Sequence, residues 1–369
     1  MTTARQIPAT SNRLVSLDFM RGFIMVLLAL ESTGLYENLE KINQSPAFHA
    51  FIIQFFHHPW NGLRFWDLIQ PGFMFIAGTA MAFSLERQRE RGASWNKSFR
   101  KVLQRSALLF FWGVLDYAVK RDGSLSFELW DVLTQLAFTT LAAFLIFRWR
   151  YLSQILVCVF LLVLTEVLYR YTNVPGFDQP FTDQHNFGNY MDLILMNKIN
   201  AGGWVAINCI PTAVHTIAGA MVGKILLRTK RVRLIVIWGI ITLFAGYLLD
   251  WMHITPIIKR IATSSFTLGS LGWCLLGIAF LYWWIDMKNH KKKLAFVTIV
   301  GMNSLFIYLF FEIVGHRWFN EYVGHISNGL MEMISTPENL KLIITPLFIF
   351  SLEWYMCYFL YKHKVFIKL

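Results

Sequence analysis

Ten apolar segments, each about as long as a membrane-crossing helix, constrain this chain of 369 residues more than any other feature. A helix needs roughly 20 apolar residues to cross the hydrocarbon core of a bilayer. Only 15% of the residues are charged, whereas a soluble domain carries about 25%. The sequence therefore predicts an all-α polytopic membrane protein, a bundle of about ten transmembrane helices in a single domain over residues 1–369. The predicted spans are 14–35, 65–85, 102–119, 129–147, 152–170, 204–227, 233–250, 264–286, 294–315 and 342–361.

The positions of the 34 lysines and arginines predict the orientation of the bundle. If residues 1–13 form a cytoplasmic tail, the segments between spans alternate, and those on the cytoplasmic side carry most of these cations, as the positive-inside rule requires. The topology is then N-in and C-in. Cytoplasmic loops that face anionic lipid explain the net charge of +12 without nucleic acid. The four cysteines lie inside apolar segments and predict neither a disulfide nor a metal site.

Charged residues inside predicted spans each cost roughly 2.5–3.5 kcal/mol on insertion scales, so each needs a partner or a function. Asp18 and Arg21 share one face of the first helix. They form either an internal ion pair or, through Arg21, an entry for an anionic ligand from the cytoplasm. Polar residues in the outer halves of the spans predict a water-filled cavity open to the outside, although each alone also fits a structural role: Glu31, Asp116, Glu166, Asn208, Thr212, His215, Ser264, Ser265 and Glu312.

Three long segments on the predicted outer side, 36–64, 171–203 and 316–341, are rich in Pro, Gly, His and aromatic residues. We expect them to fold as caps over the bundle, with a short surface helix within 48–56. The first cap ends in the segment 57–67, which holds two histidines, an asparagine and an aspartate. Imidazole is the side chain best suited to move protons near neutral pH. Asn61 is a candidate N-cap and Asp67 lies in the first turns of the second span, so an interfacial structural element is the alternative interpretation.

These residues carry a resemblance to a known family. The chain resembles the heparan-alpha-glucosaminide N-acetyltransferase family of transmembrane acyltransferases over nearly its whole length. The similar motifs are Ser16-Leu17-Asp18-Phe19-Met20-Arg21-Gly22, His57-x-x-Trp60-Asn61-Gly62-Leu63, Asp67-Leu68-Ile69-x-Pro71, Phe73-Met74-Phe75-Ile76-x-Gly78, Tyr190-Met191-Asp192, Ile207-Asn208-x-Ile210, Gly223-Lys224-Ile225-Leu226, Gly301-Met302-Asn303-Ser304 and Lys364-Val365-Phe366.

The resemblance implies an acyltransferase that passes an acetyl group from acetyl-CoA, through the membrane, to the amine of a glucosamine-type sugar. The donor either threads its pantetheine arm down the bundle or leaves the acetyl group on the enzyme. The chain would be a member without the lumenal N-terminal domain of animal relatives, which suits a bacterial inner membrane with the active site facing the periplasm. A homodimer is an open question at this point.

The resemblance also implies roles for particular residues. The catalytic histidine of the family corresponds to His57, and His58 is the other candidate because relatives carry a small residue there. From the chemistry of acyl transfer we further expect a carboxylate to orient the base, with Asp67 as the candidate, and Asn61 and Asn303 to donate to the thioester oxygen. Stabilisation of the helix start is the alternative role for Asp67. The site is predicted to lack a metal. The remaining predictions are Arg21, Asp18, Asn303, Arg87 and Arg105 for the donor, and His58, Glu31, Trp60 and Glu312 for the acceptor, where relatives have Asn in place of Glu31.

Two rival functions remain open at the level of sequence. A transporter or flippase fits the polar residues and the interruptions at Pro71-Gly72 and Pro211, although no inverted repeat is visible. An O-acyltransferase acting on the hydroxyls of a cell-envelope glycan would share the chemistry. The carboxylates Asp116, Glu166 and Glu312 favour a cationic acceptor, because an ammonium is attracted to them and a hydroxyl is not.

Overall fold

The computed structural model describes residues 14–43, 45–118 and 125–367, so the predicted cytoplasmic tail lies outside the described residues. These residues form an all-helical bundle. The helices are α1 (Val15–Ser32), α2 (Leu35–Ile42), α3 (Pro46–Ile52), α4 (Ile69–Glu90), α5 (Trp95–Ala118), α6 (Val132–Leu145), α7 (Tyr151–Tyr171), α8 (Phe187–Met196), α9 (Cys209–Arg228), α10 (Val232–Trp251), α11 (Ser264–Leu281), α12 (Ala295–Met302), α13 (Ser304–Phe310), α14 (Asn320–Met333) and α15 (Glu338–Lys362).

Every predicted span coincides with helix, and the chain is a polytopic membrane protein. Within the described ranges, six helices are long and apolar enough to cross a membrane by themselves, or seven if one bent pair is a single span. The remaining predicted spans correspond to α1, α5 and the short helix α6. Two details of the prediction were wrong. The third predicted span, 102–119, corresponds to α5, which begins at Trp95. The predicted span 294–315 is broken after Met302, where the chain bends by 76°.

The central pair of helices, α4 and α9, approaches closely because small residues face each other. A Cβ added to Gly78 would lie 1.9 Å from the carbonyl oxygen of Thr216, and one added to Gly219 would lie 2.0 Å from that of Phe75. The Thr79 hydroxyl donates to the Gly219 carbonyl at 3.1 Å. Small residues with an interhelical hydrogen bond are typical of contacts within membranes, where helices gain little from excluding water. This pair gives the site a rigid support.

Two further helix pairs also approach closely through glycine residues. Gly22 of α1 packs against the backbone of α12, where an added Cβ would meet the Val297 carbonyl oxygen at 2.0 Å. Gly246 of α10 faces Gly269 of α11. By contrast, most of the surface of α7 and α10 faces away from the bundle and is available to lipid.

The predicted caps are largely helical. The first cap contains α2 and α3, and a 3-10 turn at Ile53–Phe55 extends α3 over the predicted surface-helix segment. The second contains α8. In the third, a π-helix at Phe311–Phe319 runs directly into α14. The loop 252–263 between α10 and α11 is shorter, and it meets the first cap beside His57.

Candidate active site

The imidazole of His57 contacts the carboxylate of Asp67 at the end of the bundle where α4 begins. The two atoms, His57 Nδ1 and Asp67 Oδ1, are 3.0 Å apart. The other carboxylate oxygen accepts from the backbone N–H groups of Arg64 at 2.9 Å and His58 at 3.3 Å. Asp67 therefore does two things that the sequence had offered as alternatives, because it stabilises the helix start and also orients the imidazole.

A third titratable group, the ammonium of Lys259, completes the cluster. Its Nζ lies 3.0 Å from His57 Nδ1 and 3.6 Å from Asp67 Oδ1, and the side chain is 6% exposed. Lys259 lies in the loop 252–263, which is joined to the first cap. Gly62 N–H donates to the carbonyl of Ile257 at 2.8 Å, and Asn61 forms an isolated antiparallel bridge with Ile258.

The indole of Trp204 packs against both basic groups. Its ring centroid lies 5.5 Å from that of His57 in an edge-to-face arrangement and 5.3 Å from Lys259 Nζ. The backbone just after it is held by Asp192 of α8, whose carboxylate accepts from Ala206 N–H at 2.8 Å. The second cap therefore positions an aromatic wall beside the imidazole, where it partly stabilises the buried ammonium through a cation–π contact.

The protonation states follow from burial and charge. Burial and the neighbouring Lys259 ammonium lower the pKa of His57 to about 4, and Asp67 opposes that shift only in part. Burial also lowers the pKa of Lys259 to about 8. Arg260 lies close enough to contribute to both changes in pKa. At neutral pH the imidazole is therefore neutral and carries a single proton. Its Nε2 makes no hydrogen bond within the described residues, and 39% of the side chain is exposed.

The sequence resembles two proteins over part of its length. It is 33% identical over 107 residues to mouse (Mus musculus) heparan-alpha-glucosaminide N-acetyltransferase and 29% identical over 110 residues to the human (Homo sapiens) protein. Over this part of its length the chain is similar to the heparan-alpha-glucosaminide N-acetyltransferases. These alignments cover 29% and 30% of this chain but only 14% of each relative. No protein-family model matches the chain.

The other first-cap residues of the predicted site have mainly structural contacts. Asn61 is exposed in extended backbone. A 3-10 turn at Phe65–Leu68, whose N-cap is Arg64, leads into α4, so the predicted N-cap at Asn61 was wrong. Trp60 donates from Nε1 to the carbonyl of Phe181 at 2.8 Å, which ties the first cap to the second. His58 lies against Gly62, and its Nδ1 is buried without a hydrogen-bond partner in the described part of the chain.

The predicted outer polar residues separate into two sets. Glu31 interacts electrostatically with Lys259, and Glu312 lies near enough to Glu31, Asp116 and Asp131 to feel their charges. This set, which we call the acidic cluster (Glu31, Asp116, Asp131 and Glu312), extends from the His57 site toward α5 and α6. The other members of the prediction are hydrogen-bonded within the bundle: Glu166 to Arg170, Asn208 to the Arg260 carbonyl, Thr212 to the Asn208 carbonyl, His215 to Ser270, Ser264 to the Leu162 carbonyl and Ser265 to the Pro256 carbonyl.

The predicted donor residues are divided as well. Arg21, one turn after Asp18 on α1, lies close enough to Arg105 of α5 for the two guanidinium groups to repel each other, and Arg105 Nε is buried without a hydrogen-bond partner in the described residues. Arg87 is exposed and donates to the Phe83 carbonyl of its own helix at 3.3 Å. The structure therefore brings Arg21 and Arg105 together and leaves Arg87 apart.

Asn303 has a different setting from the one expected. Its Nδ2 donates to the Val365 carbonyl at 3.2 Å, and its Oδ1 accepts from Ile367 N–H at 3.0 Å. The side chain is fully buried at the break between α12 and α13. Both ends of the amide that was predicted to contact the donor therefore hold the C-terminal segment.

Lys259, Arg260 and Trp204 are the site residues that sequence reasoning missed. Lys259 and Arg260 are adjacent in the sequence and lie on the predicted outer side, which carries the minority of the cations. The scarcity of cations on this side was the available signal. Two adjacent cations on a side poor in positive charge indicate that an anion lies nearby. Trp204 had no comparable signal among the 14 tryptophans of the chain.

Proposed function

We propose that this protein is a transmembrane acetyltransferase that moves an acetyl group from acetyl-CoA to the amine of a glucosamine-type sugar at the His57 end of the bundle. The observation that carries the proposal is the His57–Asp67 contact, with a neutral imidazole whose Nε2 is available. The partial sequence similarity to two proteins named N-acetyltransferases supports the same chemistry.

The proposed role of His57 is to move one proton. We assign the proton of the neutral imidazole to Nδ1, donating to Asp67 Oδ1, so that the Nε2 lone pair faces the acceptor. An ammonium has only donors, so with this tautomer Lys259 directs its protons toward the carboxylate of Asp67, 3.6 Å away, and not toward Nδ1. His57 Nε2 takes the proton that the amine loses as its nitrogen bonds to the acetyl carbon. His57 then returns that proton to the thiolate sulfur as the carbon–sulfur bond breaks. Asp67 stabilises the transient imidazolium, as a carboxylate does beside a catalytic histidine.

We assign stabilisation of the developing oxyanion to Lys259 and Arg260 rather than to the two asparagines. A fixed positive charge in a site sheltered from water stabilises a tetrahedral oxyanion strongly, because no solvent has to reorganise. Lys259 is buried and held beside His57 by Asp67 and Trp204. Arg260 Nε is buried without a hydrogen-bond partner in the described residues, and an anion beside it would satisfy this donor.

For the donor, the arrangement of Arg21 and Arg105 fits an anionic group. Two guanidinium groups that repel each other, one with a buried unpartnered Nε, are stabilised by a phosphate between or beside them. Along α1, Arg21 precedes Glu31 by ten residues, which is about 15 Å of helix. Glu31 interacts with Lys259 at the His57 end. An extended pantetheine arm can cover such a span, so the arrangement favours threading of the donor over a stable acetyl-enzyme.

For the acceptor, the acidic cluster favours an amine over a hydroxyl. Its four carboxyl groups lie close enough together for their charges to interact. The Arg317 guanidinium donates to the backbone carbonyl of Asp116, and the Tyr308 hydroxyl donates to the carboxylate of Asp131. A sugar ammonium would relieve the mutual repulsion of these carboxyl groups, whereas a hydroxyl would not. The cluster adjoins Lys259. A carboxylate of the cluster accepts the extra proton of the bound ammonium, and the neutral amine then reaches His57.

One observation favours the transporter as a second candidate. The break between α12 and α13, with its 76° bend, resembles the discontinuous helices of transporters. In transporters, however, such a break exposes backbone groups to a substrate pathway. Here the amide of Asn303 and the C-terminal segment fill the break, which is why we rank the acetyltransferase first.

The experiment that tests the proposal is transfer from radiolabelled acetyl-CoA by the purified protein in nanodiscs. Glucosamine and N-acetylglucosamine would be compared as acceptors, because the second has the hydroxyls but no free amine. Label on glucosamine alone is the expected result. Equal label on both would identify an O-acyltransferase. No transfer together with no binding of acetyl-CoA would reject the enzyme and leave the transporter.

A further inference from the structure

A cavity of about 420 Å³ lies at the opposite end of α4 from His57. It is formed by the end of α4, the start of α5, the connection from α6 to α7, and the end of α9. Asp67 and Glu86 are 19 residues apart along the same helical segment, which corresponds to about 28 Å. The cavity is therefore separate from the site around His57. Its charged and aromatic lining includes Arg89, Trp95, Arg148, Arg150, Lys224 and Arg228.

Aromatic rings and backbone carbonyls hold the cations of this cavity in place. The Arg148 guanidinium stacks on the Trp95 ring at 4.1 Å from its centroid. Lys224 Nζ donates to the Phe147 carbonyl at 3.0 Å and to Gln154 Oε1 at 3.1 Å, which uses two of its three protons. None of these partners carries a negative charge, so these contacts fix the cations without neutralising them.

The cavity carries a surplus of positive charge. Among its lining residues, the carboxylate of Glu86 pairs with Arg89. Within the described residues, Arg148, Arg150 and Arg228 form no ion pair with a carboxylate. The N-terminus of α7 lies at Arg150 and has no side-chain cap, so its backbone N–H groups add to the positive potential. A bound anion with several oxygens, such as a phosphate, would satisfy these groups together.

The surface beside the cavity indicates where that phosphate comes from. Trp149 lines the cavity and is 52% exposed, and Leu152, one turn into α7, is 67% exposed. The outer face of α7 continues as exposed apolar surface through Leu156 and Phe160. Tryptophan is enriched at the level of lipid headgroups. We propose that the cavity binds the phosphate headgroup of an anionic phospholipid whose acyl chains lie along α7. The site would couple the protein to the anionic lipid content of one leaflet.

The test measures binding of phosphatidylglycerol and phosphatidylcholine to the delipidated full-length protein by native mass spectrometry. The variant is Arg150→Gln/Arg228→Gln, which removes two exposed cavity cations whose side chains form no hydrogen bond or ion pair in the described residues. The control is Lys291→Gln/Lys292→Gln, which removes two exposed cations from the loop between α11 and α12. Because each cavity guanidinium removed would have donated a charge-assisted hydrogen bond to the phosphate, the cavity variant is expected to bind phosphatidylglycerol about tenfold or more weakly. The control cations lie outside the cavity, so that variant is expected to bind the lipid normally.

Other outcomes would overturn the proposal. Equal weakening in both variants, or in neither, would show that the cavity has no special affinity for the lipid. Because Trp95 of the cavity and Arg105 lie on the same helix, acetyl-CoA and inorganic phosphate are added as competitors. If acetyl-CoA displaces the lipid, and the cavity variant weakens acetyl-CoA binding as strongly as lipid binding, the cavity takes the soluble nucleotide instead. The unfolding temperature of the double variant in phosphatidylcholine is compared with that of the wild type to detect misfolding. If the double variant is misfolded, the binding measurement is made with Arg150→Gln alone.

Discussion

Replacing Lys259 by methionine tests the electrostatics of the site directly, because it removes a charge and keeps the length of the side chain. The ammonium lies 3.0 Å from His57 Nδ1 and disfavours protonation of the imidazole. Removing it should therefore raise the pKa of His57. If the acetyl-transfer step needs the neutral imidazole, activity is lost as the pH falls through the pKa of His57, and that loss should occur at higher pH in the variant.

The size of the shift follows from the distance and the exposure. Two unit charges at that distance interact with about 1.4 kcal/mol at the dielectric constant of water and with about 5.5 kcal/mol at an effective dielectric of about 20. Since 39% of the His57 side chain is exposed, the lower value is the appropriate one, and it corresponds to about one pKa unit. The midpoint of the acid limb should thus move from about pH 4 to about pH 5.

The assay is the pH dependence of kcat/KM for transfer to glucosamine, which reports the ionisations of the free enzyme. The wild type should also lose activity as the pH rises through about 8, where Lys259 loses its proton, and the variant should lack that limb. The control is Lys341→Met, which removes a lysine paired with Glu332 and Glu338. An acid limb that stays in place, or that moves to lower pH, would refute the reasoning.

Three further predictions concern packing, the C-terminal segment and the acceptor. Gly78→Ala should lower stability by about 3 kcal/mol, the upper range for overpacking, whereas Gly277→Ala, which meets nothing within 4 Å, should change the unfolding temperature little. Asn303→Ala removes two hydrogen bonds to residues 365–367 and should speed their hydrogen exchange about tenfold or more. Glu312→Gln should raise KM for glucosamine about tenfold and leave KM for acetyl-CoA unchanged, and equal changes in both constants would contradict a role in acceptor binding.

The helices could be predicted from the sequence because an apolar segment of this length has few stable structures other than a helix in a membrane. The positions of helix breaks were harder to predict. The break after Met302 depends on the C-terminal residues 365–367, which return to bond Asn303. Such a contact spans more than 60 positions in the sequence, and nothing in the local pattern of 294–315 announces it. A mostly apolar segment therefore predicted a continuous helix where the chain is bent.

The candidate site was partly predictable for a similar reason. His57 and Asp67 lie on the two sides of one helix start, so their contact at 3.0 Å follows from local geometry. Lys259 and Trp204 come from loops far along the chain, and the distance in sequence gave no indication of contact. Asn61 shows the opposite failure, because a good N-cap residue was held in extended backbone by its bridge to Ile258. A long-range contact outweighed a local preference there.

The most direct test of the account compares wild type, His57→Ala and His58→Ala in the radiolabelled acetyl-transfer assay with glucosamine. General acid–base catalysis contributes roughly 10²–10⁴-fold, so His57→Ala should lose activity on that scale while still binding acetyl-CoA. His58→Ala should keep most of the activity, because its imidazole packs against Gly62 and does not contact Asp67 through its ring. Full activity in His57→Ala, or loss only in His58→Ala, would contradict the central claim that His57 moves the proton.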